Sequence, residues 1–113
     1  MDSFKWGRTM ITTIVQFRMP EPVSVAQARA LFTSTAPRYL GMSGLVRKYY
    51  ILSEDGLFAG GVYLWQSRAD AERIYTDAWR DFVRGKYGSE PELAWFHTPV
   101  LVDNVTGEVA GDV

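Results

Sequence analysis

The chain has 113 residues, 47% of them hydrophobic and 22% charged, with a formal net charge of −1 at pH 7. That is the size of one domain with one core, and the charge balance gives no footprint for nucleic acid or an anionic membrane. With no cysteine and a single histidine, His97, disulfides, thiolate nucleophiles, zinc–thiolate sites and paired-histidine metal sites are excluded.

Residues 1–9 are mostly polar, lack a signal-peptide core and read as a loose extension. No apolar run approaches the ~20 residues that span a bilayer, so the cytoplasm is the expected compartment. Residues 10–19 (M-I-T-T-I-V-Q-F-R-M) alternate imperfectly, stop at Pro20-Glu21-Pro22 and predict the first strand. Ser24-Val25-Ala26-Gln27 fits a capping box. The helix it opens carries Val25, Ala28, Leu31 and Phe32 at helical spacing and ends before Pro37. Residues 44–52 and 57–65 are the second and third strands. The polar turn Ser53-Glu54-Asp55-Gly56 joins them as a hairpin.

Ser67 and Asp70 open a second helix, whose apolar face includes Ala71, Ile74, Tyr75, Ala78, Trp79, Phe82 and Val83 and which ends near Gly85 to Gly88. Residues 92–102 form the last strand, with Pro99 implying an edge or a bulge. Residues 105–113 read as a tail, which leaves 10–104 as the domain. No G-x-G-x-x-G or P-loop is present, and Gly60-Gly61 falls inside a strand.

The order β-α-β-β-α-β predicts a ferredoxin-like α+β fold, a four-stranded antiparallel sheet with both helices on one face. A merely solvated second face would be polar. Instead both parities are apolar: Phe58, Val62 and Leu64 alternate with Ala59, Tyr63 and Trp65. The second face therefore needs a second cover, most simply another copy of the chain in a C2 homodimer. A pocket for a small aromatic or hydrophobic molecule is expected between the facing sheets.

The residues assigned to that pocket are Ile14, Gln16, Arg18, Lys48, Tyr50, Tyr63, Trp65, Trp95 and His97, subject to slips at bulges. His97 is a candidate general base, and Lys48 a base or an electrostatic stabiliser of a developing anion. Gln16, Tyr50, Tyr63, Trp65 and Trp95 would bind the substrate by hydrogen bonding and stacking. Each also has a plain structural role open to it, the tyrosines and tryptophans as packing and His97 as a backbone-bonded side chain. Gly60-Gly61 marks a bulge or a place where something comes close.

Three blocks, P-R-Y-L-G-M-S-G-L-V-R-K-Y-Y (37–50), A-G-G-V-Y-L-W-Q-S-R-A-D-A-E (59–72) and Y-G-S-E-P-E-L (87–93), resemble the YdhR family. The resemblance runs from about Met10 to Asn104. It implies a dimeric α+β barrel like that of the antibiotic-biosynthesis monooxygenases. In that wider group some proteins oxidise phenols or hydroquinones with O₂ and no cofactor, and others isomerise, cyclise or cleave haem. The expected activity is thus a cofactor-independent monooxygenase acting on a phenol, hydroquinone or polyketide-like ring. An isomerase or cyclase on the same barrel, and a non-catalytic ligand-binding dimer, are the alternatives.

Overall fold

The computed structural model describes residues 9–111; the expected N-terminal extension lies almost wholly outside them. Strand β1 (Ile11–Arg18) is followed by helix α1 (Val25–Thr35), a 3₁₀ turn (Ala36–Arg38), and strands β2 (Leu45–Leu52) and β3 (Phe58–Trp65). Helices α2 (Arg68–Glu72) and α3 (Asp77–Tyr87) come next, then β4 (Glu92–His97) and a hairpin of β5 (Val100–Asp103) with β6 (Glu108–Gly111). The main sheet is antiparallel in the order β2-β3-β1-β4. The ferredoxin-like α+β expectation holds.

Local chemistry explains these elements. Ser24 accepts from the Gln27 amide at 3.1 Å while the Gln27 side chain accepts from the Ser24 amide at 2.8 Å, the expected capping box. In the hairpin turn, Asp55 accepts from the Ser53 hydroxyl and the Leu57 amide. Gly56 takes the positive φ of 76° there, which glycine alone adopts freely.

Two expectations need correction. The single second helix is broken: Thr76 accepts from the Trp79 amide and starts α3 afresh, at a new angle after Tyr75. The single last strand is also broken. Ladder pairing with β1 ends at His97, and after Thr98-Pro99 the chain leaves the sheet, because proline has no amide to donate. Residues expected as a tail form β6, closed by an Asp103 carboxylate that accepts from the Val105 and Thr106 amides.

Register assigns the faces. Ile11, Thr13, Val15 and Phe17 of β1 pair with Trp65, Tyr63, Gly61 and Ala59 of β3, and all lie under the helices. Lys48, Tyr50 and Leu52 join them from β2, and Leu93, Trp95 and His97 from β4. Phe17 stacks on Tyr87 of α3 with centroids 4.3 Å apart. Trp79, Val83 and Tyr87, four residues apart, are the buried stripe of α3.

The opposite face carries Thr12, Ile14, Gln16, Arg18, Tyr49, Phe58 and Phe96. Tyr49, Phe58 and Phe96 are exposed. Arg47 donates to the nearly solvent-free Asp103 carboxylate at 2.7 Å, so the C-terminal hairpin is tied to one end of this face.

Candidate functional site

The candidate site lies between the sheet and the helices, not on the open face. This corrects the expected pocket location. Lys48, Tyr50, Tyr63, Trp65, Trp95 and His97 do share one face, as expected, but it is the covered one. Gln16, with Ile14 and Arg18, is on the other side, where Gln16 lines a separate cleft of about 240 Å³ with Arg18, Phe58 and Glu90. The difference lies in the parity of β1, whose odd-numbered residues face the helices. The aliphatic run of β1 hides the fact that Thr13, not Gln16, is its inward polar residue.

Lys48 is the centre of the site. Its Nζ lies 3.4 Å from the ring centroid of Tyr39, 3.8 Å from that of Tyr50 and 4.6 Å from that of Tyr63. Room for its stem comes from Gly61, where a Cβ would stand 3.1 Å from Lys48 Cε and 3.1 Å from the Tyr63 ring. Gly60 serves the backbone instead: a side chain there would collide with the Val15 carbonyl oxygen. What comes close to the glycine pair is thus the protein's own strand and lysine.

Burial pushes the Lys48 ammonium down to about 7, and the Arg38 charge adds to the effect. The negative ring faces pull the other way, but desolvation is the larger influence. Among the described residues no carboxylate pairs with Lys48. The phenols shift oppositely, for the same reason. Burial raises Tyr50 to about 12, with the Thr35 hydrogen bond of 2.7 Å opposing it, and it raises Tyr63 and Tyr75 as well. Burial therefore favours the proton-bearing form of these three phenols and the uncharged form of Lys48.

A second tier of hydrogen bonds fixes the rings. Trp65, fully buried, donates from Nε1 to Thr13 at 3.1 Å and to Tyr75 at 3.3 Å; the Thr13 and Tyr75 hydroxyls are 2.6 Å apart. Trp79 Nε1 donates to the Tyr39 hydroxyl at 3.1 Å, holding that ring over Lys48. The break between α2 and α3 is what presents Tyr75, edge-on to Tyr63, Trp65 and Trp95. Trp95 lies further out, under the Arg68 guanidinium. His97 is exposed at the end of β4 and does not line the chamber.

The chamber is narrow. An inner cavity of about 20 Å³, room for one water-sized molecule, is walled by Lys48, Tyr39, Tyr50, Tyr63 and Trp79. Lys48, Tyr39 and Tyr50 also line an outer cleft of about 230 Å³ that opens past Leu40 and Gly41. Tyr50 further borders an apolar groove of about 460 Å³ beneath α1. Lys48 therefore stands where inside and outside meet.

Sequence reasoning did not single out Tyr39, Thr13 or Tyr75 for the site. Thr13 was legible as a hydroxyl interrupting an aliphatic strand, and Tyr75 as the residue before a Thr-Asp helix start. Tyr39 carried no local signal. Among the described residues no cluster of three or more His, Asp or Glu can hold a metal ion, and no helix is long and apolar enough to cross a membrane.

No protein-family model matches the sequence, and no curated protein sequence matches it. Solved structures do. The monooxygenase from the gene ActVA-Orf6 of Streptomyces coelicolor, solved with nanaomycin D, is 16% identical with a TM-score of 0.61, over 80% of this chain and 88% of its own. SnoaB, a cofactor-independent oxygenase from Streptomyces nogalater, is 16% identical with a TM-score of 0.60, over 80% and 93%. A conserved protein from Methanosarcina mazei Go1 is 14% identical with a TM-score of 0.61, over 80% and 94%. At such identities the likeness establishes the fold alone: a ferredoxin-like α+β domain shared with these three structures.

Proposed function

We propose that this protein is a cofactor-independent monooxygenase for a small aromatic substrate, with Lys48 as its general base. The observation that carries the proposal is the Lys48 amine set over the faces of Tyr39 and Tyr50 at the mouth of the chamber, with no carboxylate partner among the described residues and its proton affinity lowered by burial. The fold shared with two oxygenases supports the reaction class, and the three sequence blocks support the YdhR branch of that fold.

The substrate ring lies in the outer cleft with its acidic edge at Lys48. Nζ takes a proton from a phenol, and the tyrosine hydroxyls hydrogen-bond the resulting anion. The electron-rich anion gives one electron to O₂ that enters the outer cleft beside it. The radical pair recombines at a ring carbon to a peroxide anion, which recovers a proton from the Lys48 ammonium. Loss of water leaves a quinone, so that a phenol and O₂ become a quinone and water. The protein supplies desolvation, orientation and the proton store. His97, exposed at the strand end, is the alternative base; Trp65 and Trp95 brace the chamber walls.

The apolar open face supports pairing with a second copy as a homodimer, with about 800 Å² per partner as the scale of a stable contact. Oxygen uptake by chelator-treated protein with one- to three-ring phenols and hydroquinones tests the reaction. Uptake is expected in the wild type and in His97→Ala, and is expected to fall by about 10²–10⁴ in Lys48→Met. If no substrate raises uptake above the Lys48→Met level, the proposal fails. Turnover under strict anaerobiosis would instead establish an isomerase or cyclase, which needs the same amine and phenols but no oxygen.

A further inference from the structure

We infer that Lys48 is also a covalent attachment point for an aromatic aldehyde or ketone, which it takes from the outer cleft as an imine. The inference shares Lys48 with the proposed base but does not depend on oxygen chemistry.

The geometry meets the requirements of amine addition. The attacking nitrogen must reach a carbonyl from outside, and the Lys48 side chain lines both the 230 Å³ cleft and the inner cavity, with Nζ over the rings of Tyr39 and Tyr50 that line the same two spaces. The amine must not be held by an acid, and among the described residues none pairs with it. Aromatic rings must be welcome beside it, and Tyr39 and Tyr50 present their faces within 4 Å of Nζ. A proton donor must serve the departing oxygen. The Tyr39 hydroxyl already accepts from Trp79 Nε1, which leaves its own proton to give.

The Nζ lone pair adds to the carbonyl carbon, and the π pair moves to oxygen, which takes a proton to give a carbinolamine. Protonation of that hydroxyl releases water as the C=N bond forms, and nitrogen loses its second proton to solvent. One carbonyl and one amine thus become one imine and one water, with no change of oxidation state. Burial favours the uncharged amine that the first step needs. Lys86, exposed on the last turn of α3, is an internal comparison on the same chain.

The test is reductive labelling of the full chain at pH 7 with benzaldehyde and sodium cyanoborohydride, followed by peptide mass mapping. The expected result is benzylation of Lys48 at least ~10-fold faster than Lys86, since desolvation raises the uncharged fraction by orders of magnitude. The fast product should vanish in Lys48→Arg. Labelling of Lys48 no faster than Lys86 overturns the inference, because the amine then does not meet an aromatic carbonyl in the cleft. The two proposals fail separately. Fast Lys48 labelling without oxygen uptake keeps the imine site and removes the oxygenase. Lysine-dependent uptake without fast labelling does the reverse.

Discussion

The two faces of the sheet carry a similar share of apolar residues but use them differently. Under the helices, Tyr39, Tyr75, Trp65 and Trp79 are locked by hydrogen bonds at ring nitrogens and hydroxyls, and one amine is buried among them. On the open face, Phe58, Phe96 and Tyr49 are exposed, and the tie to other structure is at one end, where Arg47 meets Asp103. An apolar surface alone does not mark a site. What distinguishes the covered face is an amine enclosed by rings with no carboxylate partner among the described residues, its proton affinity lowered by burial.

The contrast can be broken most severely at its most buried ring. Trp65→Ala should cost about 3–5 kcal/mol in denaturant unfolding, since it empties a fully buried indole position and strips Thr13 and Tyr75 of their donor. A cost under 1 kcal/mol would mean that the covered face is not the organised one.

Lys48→Met comes next, and its effect has a sign set by pH. Below about 7 the lysine is charged in both folded and unfolded chains, and the burial penalty is fully present. Between about 7 and the ordinary value of 10.5 the unfolded chain binds the proton and the folded chain does not, so stability rises with pH. The wild type should therefore gain roughly 2–4 kcal/mol across that window, after allowance for the ring faces and residual solvent. Lys48→Met should be the more stable protein at pH 6 and lose this slope. An unfolding free energy from urea titrations that changes equally between pH 6 and pH 10 in the wild type and in Lys48→Met would contradict the burial of this amine.

Gly61→Ala sharpens the comparison with less damage. A methyl group there presses on Lys48 Cε and the Tyr63 ring, so the lysine stem must shift. Stability should fall by about 1–3 kcal/mol and the benzaldehyde labelling rate of Lys48 should change. An unaltered rate would show that Gly61 does not set the amine's position.

The smallest folding effect belongs to the open face. Phe96, 49% exposed, can become Ser with a change within about 0.5 kcal/mol in the isolated protomer. The homodimer proposed for that face should weaken in sedimentation. A dimer of unchanged affinity would place the contact elsewhere.

Much of the fold was legible from particular residues. The Ser24–Gln27 box, the Ser53–Gly56 turn and the strand alternation of 58–65 each gave a local signal that the structure keeps. Lys48, Tyr50 and Tyr63 were legible as one constellation because residues two apart on a strand share a face and neighbouring strands pair. Which side of the sheet they faced was not. Both faces are apolar, and a period of two cannot say which one the helices cover. Tyr39 belongs to a loop after a 3₁₀ turn, where no periodicity exists to place it. The break at Thr76 was masked by an apolar pattern that ran smoothly through it. The departure of β5 from the sheet followed from Pro99, but its pairing with β6 depended on a turn built by Asp103 that composition alone did not reveal.

Lys48 is an amine whose proton affinity is lowered by burial in an aromatic chamber, and a titration of its ¹³Cε and Nζ resonances reads this directly. Assignment by loss of the signal in Lys48→Arg would give a midpoint near 7. A midpoint at the ordinary lysine value of about 10.5 would show a caged cation instead, and both the general base and the imine site would go with it.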